Sequence, residues 1–449
     1  MTEAELFAKY DVPVPRYTSY PTVPQWHAAP SADEWIESLS RALQGDGASL
    51  SLYLHLPFCE SLCTFCGCNT VITRDHSREG PYVDLLLAEL DIYLGRLPQL
   101  SNTSVRQLHL GGGTPTFLSP ASLDRLIAGV MARLPNRAAG FEGSVEVDPR
   151  VTTRAHLEGL AARGVRRLSL GVQDIDPNVQ QLVNRMQPMA MTTTLMTAAR
   201  KLGYESINVD LIYGLPGQTP DSMTRLATEI VAAAPDRLAV YSFARVPWIK
   251  PAQRKFRDDQ VPAGAAKRAL YEIVRTRLLH AGYVEIGLDH FARPDDSLAR
   301  AAAAGALHRN FMGYADVHTT AMLGLGVSAI SDTPDCYHQN EKILPSYVKR
   351  VEAGEVPTHR GHVLSAEDQR RRQRITTLMT TFQAPLETTE MDAAARVLKP
   401  LIDDGLVAID GHALVIPPAG RPFLRNAATF FDQYFQHTEP SRPVYSTSA

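Results

Sequence analysis

The stretch SLYLHLPFCESLCTFCGCN, at positions 51–69, joins a predicted strand to a loop rich in cysteine. Its first seven residues form the short apolar run of a strand. Four of the five cysteines in the chain follow within ten residues: Cys59, Cys63, Cys66 and Cys68. Thiols this close together make a poor disulfide framework for a large protein in a reducing compartment. The stretch therefore predicts a metal or metal-cluster site just past the end of a strand.

Short apolar strands alternate with helical stretches beyond this loop. The predicted strands lie at 51–57, 105–113, 143–149, 166–173, 205–214 and 237–245, and a seventh candidate at 283–291 follows a helix near 262–281. This alternation predicts an α/β protein with a parallel sheet, either curled towards a barrel or open. Such sheets bind ligands at the carboxyl ends of their strands. That edge holds the cysteine loop, the glycines at 111–113, Asp148, Gln173 and Asp210.

Polar residues inside two of these strands carry a second signal. Glu146 and Asp148 alternate with valines, and Asn208 and Asp210 alternate with apolar residues. Helices cover the outer face of a parallel sheet, so polar side chains at a period of two should point inward. A buried carboxylate needs a partner, which makes these acids candidates for ligand binding. For Asp148, which precedes a proline, a turn-forming role stays open.

The length of 449 residues, with 44% hydrophobic and 21% charged side chains, predicts a globular protein of two or three domains. We expect four segments: an N-terminal arm at 1–50, a barrel-like core at 51–290, a connection covering substrate and cofactor at 291–362, and a small helical, winged-helix-like domain with a β-hairpin at 363–449. The last residues, from 438, are expected to form a frayed tail.

Charge and hydropathy exclude several classes of partner. The formal net charge of −3 gives no electrostatic reason to expect nucleic acid. The arginines at 370–374 lie beside Glu367 and Asp368, which is typical of a solvated helix face. The first residues lack the apolar segment of a secretory signal, and no apolar run is long enough for a membrane span. We therefore expect a cytoplasmic protein.

The spacing of the first three cysteines, C-x3-C-x2-C, favours an iron–sulfur cluster. A four-iron cluster ordinarily takes four thiolates, so Cys59, Cys63 and Cys66 leave one iron open to another ligand. The alternative is a zinc ion held by these three and Cys68. Only one residue separates Cys66 from Cys68, which is shorter than the usual zinc spacing.

The cysteine motif resembles that of the radical S-adenosylmethionine (SAM) superfamily, in which the methionyl amine and carboxylate occupy the open iron. GGGTPT at 111–116 resembles the element of that superfamily that pairs with the methionyl amino group. More narrowly, the chain resembles the oxygen-independent coproporphyrinogen III oxidases over nearly its whole length. The matching segments are PRYTSYPT, YLHLPFCESLCTFCGCN, QLHLGGGTPTFL, VEVDPR, LSLGVQD, VNR, NVDLIYGLPGQTP, DHFARPDD, LHRNFMGY, LGLGVSAIS and RNAATFFDQYF.

This resemblance implies a partial (β/α)6 barrel-like core and a defined reaction. Two propionates of coproporphyrinogen III would become vinyl groups, giving protoporphyrinogen IX by way of a 5′-deoxyadenosyl radical. Acid–base side chains cannot break an unactivated C–H bond, so the cofactor supplies the radical and the protein positions the reactants. The resemblance further implies an electron donor such as flavodoxin or ferredoxin, and we expect a monomer.

The resemblance also implies site residues, with Cys59, Cys63 and Cys66 as cluster ligands and Cys68 outside the ligand set. The first of two SAM molecules would contact Tyr53, Gly112, Glu146 and Ile330. The second would contact Phe65, Gly113, Thr114, Gln173, Arg185, Asp210 and Ala244. Basic residues in matching segments are candidates for binding the substrate propionates: Arg16, Arg245, Lys255, Arg293 and Arg309.

One segment departs from the family pattern. ADVHTTAMLGLG at 315–326 carries Ala321 where an acidic residue is expected. An acid lost near the rim of the sheet would change how the substrate or cofactor is held. The departure leaves open a paralogous enzyme acting on another tetrapyrrole, or a haem-binding chaperone without decarboxylase activity. Retention of Glu146, Arg185 and Asp210 argues against the chaperone.

Overall fold

A computed structural model describes residues 1–435, Tyr445 and Thr447, so the predicted tail lies almost wholly outside the described residues. Within this part, the strands are β1 Ser49–Leu56, β2 Phe58–Cys59, β3 Val71–Ile72, β4 Ser104–Gly112, β5 Arg137–Val147, β6 Val165–Gln173, β7 Ser206–Tyr213, β8 Arg237–Ser242, β9 Val284–Ile286, β10 His290–Ala292, β11 His308–Asn310, β12 Gly313–Ala315, β13 Ala321–Leu325, β14 Ile330–Asp332, β15 Cys336–Asn340, β16 Thr358–Val363, β17 Gln383–Pro385, β18 Ala408–Asp410 and β19 Ala413–Val415.

The α-helices of the same part are α1 Glu3–Tyr10, α2 Ala32–Ala42, α3 Glu79–Arg96, α4 Pro120–Arg133, α5 Arg154–Ala162, α6 Pro177–Leu182, α7 Met189–Lys201, α8 Pro220–Ala233, α9 Gly264–His280, α10 Ser297–Ala303, α11 Leu344–Glu352, α12 Ala366–Thr381, α13 Met391–Val397, α14 Lys399–Asp403 and α15 Leu424–Ala428. None of these helices is long and apolar enough to cross a membrane.

A 12-stranded sheet forms the centre of the molecule, in the order β16-β15-β14-β13-β1-β4-β5-β6-β7-β8-β10-β9. The strands from β13 to β8 in this order run parallel to one another. Both ends of the sheet continue with antiparallel strands. The carboxyl ends of the parallel strands therefore share one edge of the sheet. The cysteine loop follows β1 at this edge.

The six strands predicted for the repeats are confirmed as β1 and β4 to β8. The seventh candidate, at 283–291, is wrong as a single strand because a turn splits it into the antiparallel hairpin β9–β10. Gly287 begins this turn with φ +59°, where a side chain is strained, and an added Cβ would collide with the ring of Tyr314. The segment 291–362 contributes β13 to β16 to the same sheet, which the sequence pattern did not predict.

Side chains alternate between the two faces of the parallel strands. On β1, Leu50, Leu52 and Leu54 are fully buried in the main apolar cluster with the helices, whereas Tyr53 and His55 lie on the other face. The acids on β5 and β7 follow the same rule, and Glu146 and Asp210 both line an interior cavity of about 160 Å³. The prediction that period-two acids point inward is confirmed.

A second apolar core joins the two ends of the chain. Phe7, Tyr10, Tyr17 and Tyr20 of the N-terminal arm pack with apolar residues from 375–431. The predicted C-terminal hairpin is confirmed as β18–β19, and β17 adds a third strand to it. The arm thus completes the hydrophobic core of the C-terminal region.

Candidate active site

The cysteine loop is anchored on several sides by hydrogen bonds that its backbone donates or accepts. The N–H of Thr64 donates to the carbonyl of Val183 at 3.0 Å, and the Asn184 amide donates to the carbonyl of Leu62 at 2.8 Å. Lys250 Nζ donates to the carbonyl of Cys68 at 3.0 Å. These contacts hold the loop against the residues that follow α6 and against the loop after β8, without using its thiols.

Each of the three predicted ligand sulfurs has a hydrogen-bonding group within reach. Thr114 Oγ1 lies 3.3 Å from Cys59 Sγ. The backbone N–H of Cys68 donates to Cys66 Sγ at 3.4 Å. At Cys63, two guanidinium groups donate to Sγ, as described below. Donors to sulfur favour the thiolate form, which is the form that binds metal.

The thiols differ in their acidity. Burial raises the pKa of Cys59 to about 11. The side-chain hydrogen bond from Cys68 lowers the pKa of Cys66 to about 6, and the same bond raises the pKa of Cys68 well above its ordinary value. Cys66 is therefore the more acidic thiol of this pair.

Single metal ions and clusters make different demands on these sulfurs. Among the described residues, no group of three or more His, Cys, Asp or Glu side chains is placed to hold one metal ion. A four-iron cluster spaces its cysteine ligands more widely than one ion does, because each sulfur binds a different iron.

Two arginines and one aspartate surround Cys63. Arg150 Nη2 and Arg185 Nη1 lie 3.4 and 3.5 Å from Cys63 Sγ. Both arginines also donate to Asp148 Oδ2, at 2.6 and 3.1 Å. Burial opposes ionisation of Asp148, but the two arginines outweigh it and lower the pKa of the carboxyl. The two arginines and one aspartate together leave net positive charge beside the Cys63 sulfur. This charge would offset the negative charge of an iron–sulfur cluster bound by thiolates.

Glu146 forms a second centre on the concave face of the sheet. The Gly112 N–H donates to its Oε2 at 3.3 Å, and His109 Nε2 lies 3.4 Å from its Oε1. Burial works to raise the pKa of the carboxyl, but these contacts outweigh it and the pKa is lowered. The side chain keeps 46% of its surface accessible, and that surface opens into the interior cavity. Glu146 is thus an ionised carboxylate with room for a cationic ligand.

Asp210 lies across the same cavity from a different strand. Ser169 Oγ donates to its Oδ2 and Asn208 Nδ2 to its Oδ1, both at 2.9 Å. Burial and the charge of Glu146 raise the pKa of Asp210 to about 6. Two acids with different pKa values therefore face one small polar cavity.

Comparison with known proteins assigns the chain to a family. The model of the Radical SAM superfamily matches residues 53–230. The oxygen-independent coproporphyrinogen III oxidases of Pseudomonas aeruginosa and Escherichia coli are each 40% identical to this chain over 96% of its length, and the alignments cover 96% and 95% of those proteins. The chain belongs to the oxygen-independent coproporphyrinogen III oxidases.

The likeness extends to three dimensions. A solved structure of coproporphyrinogen III oxidase (HemN) from Escherichia coli, described as a radical SAM enzyme, matches with a TM-score of 0.87. The match covers 94% of this chain and 98% of that one, at 40% identity. As a radical SAM enzyme of this oxidase family, the protein has a family-defined requirement for a [4Fe–4S] cluster and SAM.

The other residues that the family resemblance implied fall around the same edge. Thr114 and Gly113 follow β4, and a Cβ on Gly113 would meet the carbonyl of Pro57 at 2.6 Å. Phe65 and Ala244 are bridged through their carbonyls by the Gln253 amide, at 3.4 and 3.2 Å. This arrangement joins the cysteine loop to the end of β8.

Three further implied residues lie on strands of the central sheet. Gln173 ends β6 with φ +69°, a conformation that favours glycine, and its amide lies next to Gly171. Ile330 begins β14, whose neighbour β13 pairs with β1 at Tyr53. The ring of Tyr53 stacks on that of His109 at 5.8 Å, which brings it to Glu146.

The five basic candidates for the propionates do not converge on one place. Arg16 pairs with Asp289, and Arg309 donates to the Arg16 carbonyl at 3.3 Å, so these two lie together. Arg245 donates to the backbone carbonyl of Phe256 at 3.1 Å, and Lys255 Nζ lies 5.5 Å from the centre of the Phe256 ring. Arg293, near the amino end of α10, has a half-exposed side chain 3.5 Å from Asp295.

The prediction that Ala321 alters the rim is wrong. Ala321 pairs with Leu50 at the start of β1, so it lies at the opposite end of the parallel strands from the cysteine loop. It also packs in the main apolar cluster, where an acid would be buried without a partner. The acid that this segment places in the interior cavity is Asp316, which pairs with Arg237 at 3.1 Å.

Sequence reasoning missed two residues of the site, Arg150 and His109. His109 lies at period two on β4, so the rule that identified Glu146 would also have found it. Arg150 lies in the turn after β5, where no periodic signal applies. Its only sequence mark is its place in VEVDPR, two residues after Asp148.

Proposed function

We propose that this oxidase converts two propionate groups of coproporphyrinogen III to vinyl groups without oxygen, giving protoporphyrinogen IX and carbon dioxide in haem biosynthesis. The observation that carries the proposal is likeness over whole chains: about 40% identity to oxidases of this name over nearly their full length, with a TM-score of 0.87 to one of them. The supporting geometry is an acidic interior cavity beside the loop that contains the three proposed cluster cysteines.

Cys59, Cys63 and Cys66 would hold the [4Fe–4S] cluster. The donor set fits this group, because each sulfur has a hydrogen-bonding partner and the arginines at Cys63 supply positive charge. When bound, the cluster and SAM supply the one-electron chemistry that acid–base side chains cannot. Cys68 stays outside the ligand set and donates a hydrogen bond to Cys66.

Glu146 and Asp210 would both bind cofactor, although the pKa of Glu146 is lowered and that of Asp210 is raised. The lowered pKa of Glu146 keeps its charge available to a methionyl ammonium. Asp210 is suited to accept hydrogen bonds from ribose hydroxyls. We place Tyr53, Gly112 and Ile330 with Glu146 at one SAM molecule, and Phe65, Gly113, Thr114, Gln173, Arg185 and Ala244 with Asp210 at a second.

Three properties of the protein in the cell complete the proposal. The oxidase would take its electrons from a small carrier such as flavodoxin or ferredoxin, act in the cytoplasm and work as a monomer.

Anaerobic product analysis tests the function. Reconstituted enzyme, reductant, SAM and coproporphyrinogen III should give protoporphyrinogen IX, with the tripropionate as the intermediate. Enzyme lacking the cluster through Cys63→Ala is the matched control. Cleavage of SAM with neither tripropionate nor dipropionate product would instead favour a paralogue acting on another tetrapyrrole.

A further inference from the structure

A second small cavity lies beside the catalytic edge, which is the edge of the sheet that carries the cysteine loop. There the C-terminal region covers the ends of β7 and β8. It measures about 50 Å³, which is room for a carboxylate group but not for a tetrapyrrole ring. Tyr213 and Ser242, the last residues of the two strands, form one wall. Four arginines and two acids supply its charges: Arg16, Arg268, Arg421, Arg425, Glu285 and Asp289.

Arg425 is the most deeply placed of these cations. Only 5% of its surface is exposed, and its hydrogen bonds go to two carbonyls, of Val14 at 3.1 Å and Thr447 at 2.6 Å. Among the described residues no carboxylate forms an ion pair with it. Burial, followed by the nearby charge of Arg16, lowers its pKa to about 10. A buried cation without an anion is costly, so this site is electrostatically incomplete.

Two neighbouring arginines also leave buried donors unused. The Nε atoms of Arg268 and Arg421 are buried and lack a hydrogen-bond partner among the described residues. Arg268 pairs through its other end with Glu272, and Arg421 lies 3.7 Å from Glu285. Glu285 is already bound by Arg275 at 2.8 Å. Positive charge and free N–H groups therefore exceed the acceptors that the protein supplies.

The cavity is next to the interior cavity that holds Asp210. Asp289 lines the first and binds His290, which lines the second, at 2.7 Å. Arg16 lies over the ring of Tyr241, another wall of the interior cavity, at 5.7 Å. These side chains therefore lie between the second cavity and the interior cavity where Glu146 and Asp210 would bind cofactor.

We propose that Arg425, Arg268 and Arg421 form an anion subsite that receives one propionate carboxylate of the substrate. The carboxylate supplies the negative charge that Arg425 lacks, in a cavity lined by four arginines and only two acids. This subsite rests on the proposed function, since a tetrapropionate substrate is what brings the carboxylate to it. It is distinct from the five basic residues that the sequence suggested, of which only Arg16 borders it.

Equilibrium binding of coproporphyrin III tests the subsite. This oxidised porphyrin carries the same four propionates, and its fluorescence can be followed with cluster-loaded enzyme in the presence of SAM and without reductant. Arg425→Gln and Arg268→Gln should each weaken binding about tenfold or more, since each removes a charge-assisted contact. Arg154→Gln, an exposed arginine on α5 paired with Glu158, should bind as the unaltered protein does.

Thermal unfolding with simple anions supplies the second measurement. Sodium propionate should raise the midpoint of the unaltered protein above its value in sodium chloride of equal ionic strength, and should do so less in Arg425→Gln. If that variant does not fold, Arg268→Gln decides, because it leaves the bonds to Val14 and Thr447 intact. Unchanged porphyrin affinity in Arg268→Gln overturns the subsite, even if the enzyme forms product. Absence of product together with arginine-dependent porphyrin binding overturns the proposed function instead and supports the subsite.

Discussion

The four clustered cysteines are close in sequence but have different roles at the scale of single residues. Cys59→Ala, Cys63→Ala or Cys66→Ala should each remove the visible absorbance and most of the iron of the reconstituted protein. Cys68→Ala should keep the cluster, because we propose that Cys68 lies outside the ligand set, and the variant keeps the backbone N–H that donates to Cys66. Iron and sulfide analysis with absorbance spectra checks this. A cluster lost in Cys68→Ala but kept in Cys59→Ala would refute the ligand assignment.

Glu146 should serve ligand binding more than folding. Its carboxylate faces the interior cavity with a lowered pKa, so Glu146→Gln removes a charge while keeping the shape. We expect SAM to bind about 1.5–3 kcal/mol more weakly, with little change in melting temperature. Calorimetric titration measures the first and thermal unfolding the second, with the exposed Glu158→Gln as control. A large drop in melting temperature with normal SAM affinity would assign Glu146 a structural role.

For single residues, the sequence predicted those whose side chains follow the periodicity of a strand. Glu146 and Asp210 were found because inward acids on a parallel strand are rare enough to stand out. Arg150 was not, since its approach to Cys63 depends on how the turn after β5 folds back on the cysteine loop. Arg425 was missed for a similar reason: it is remote in sequence from every strand that it adjoins.

At the scale of elements, a buried carboxylate on α3 connects four parts of the chain. Glu89 is fully buried and accepts hydrogen bonds from Tyr347 at 2.7 Å, the Gly326 N–H at 2.7 Å and the Asn340 amide at 2.6 Å. These contacts tie the helix to α11, β15 and the loop that leads to Ile330. Burial raises the pKa of Glu89 to about 7, although the hydrogen bonds favour the ionised form.

This pKa predicts a pH-dependent stability. Because the folded pKa lies above the ordinary value of 4.5, stability present at low pH is lost as the pH rises towards 7. The free energy of unfolding, relative to that of Glu89→Gln, should therefore fall by about 2–3 kcal/mol between pH 5 and pH 8. Urea unfolding of both proteins at each pH measures the difference, in which other titrating groups cancel. A difference that stays constant, or grows with pH, would show that Glu89 is ionised throughout.

The same elements mark where strand prediction stopped. The parallel strands β1 and β4 to β8 have apolar alternation that a sequence pattern detects. In contrast, β15 reads CYHQN and is buried along its whole length. Two of its polar side chains bind partners that are distant in sequence: His338 Nε2 lies 2.9 Å from Thr358 Oγ1, and the Asn340 amide donates to Glu89. No local pattern can predict a strand whose burial depends on such partners.

On the scale of the whole molecule, the two ends of the chain close over the catalytic edge together. The arm packs in the C-terminal core, and Arg16 reaches from it to Asp289 at the β9–β10 turn. Sequence matching identified PRYTSYPT and RNAATFFDQYF as separate motifs, but their contact could not be read from either. Their contact explains why both motifs border the proposed propionate subsite.

Isotope transfer from the substrate tests the central claim most directly. Coproporphyrinogen III carrying deuterium at the β-carbons of the reacting propionates is incubated anaerobically with the reconstituted enzyme, reductant and SAM. We expect protoporphyrinogen IX to form and the deuterium lost from the substrate to appear in 5′-deoxyadenosine. Vinyl groups formed without deuterium in 5′-deoxyadenosine, or 5′-deoxyadenosine formed while coproporphyrinogen III stays intact, would show that the radical does not act on the propionates.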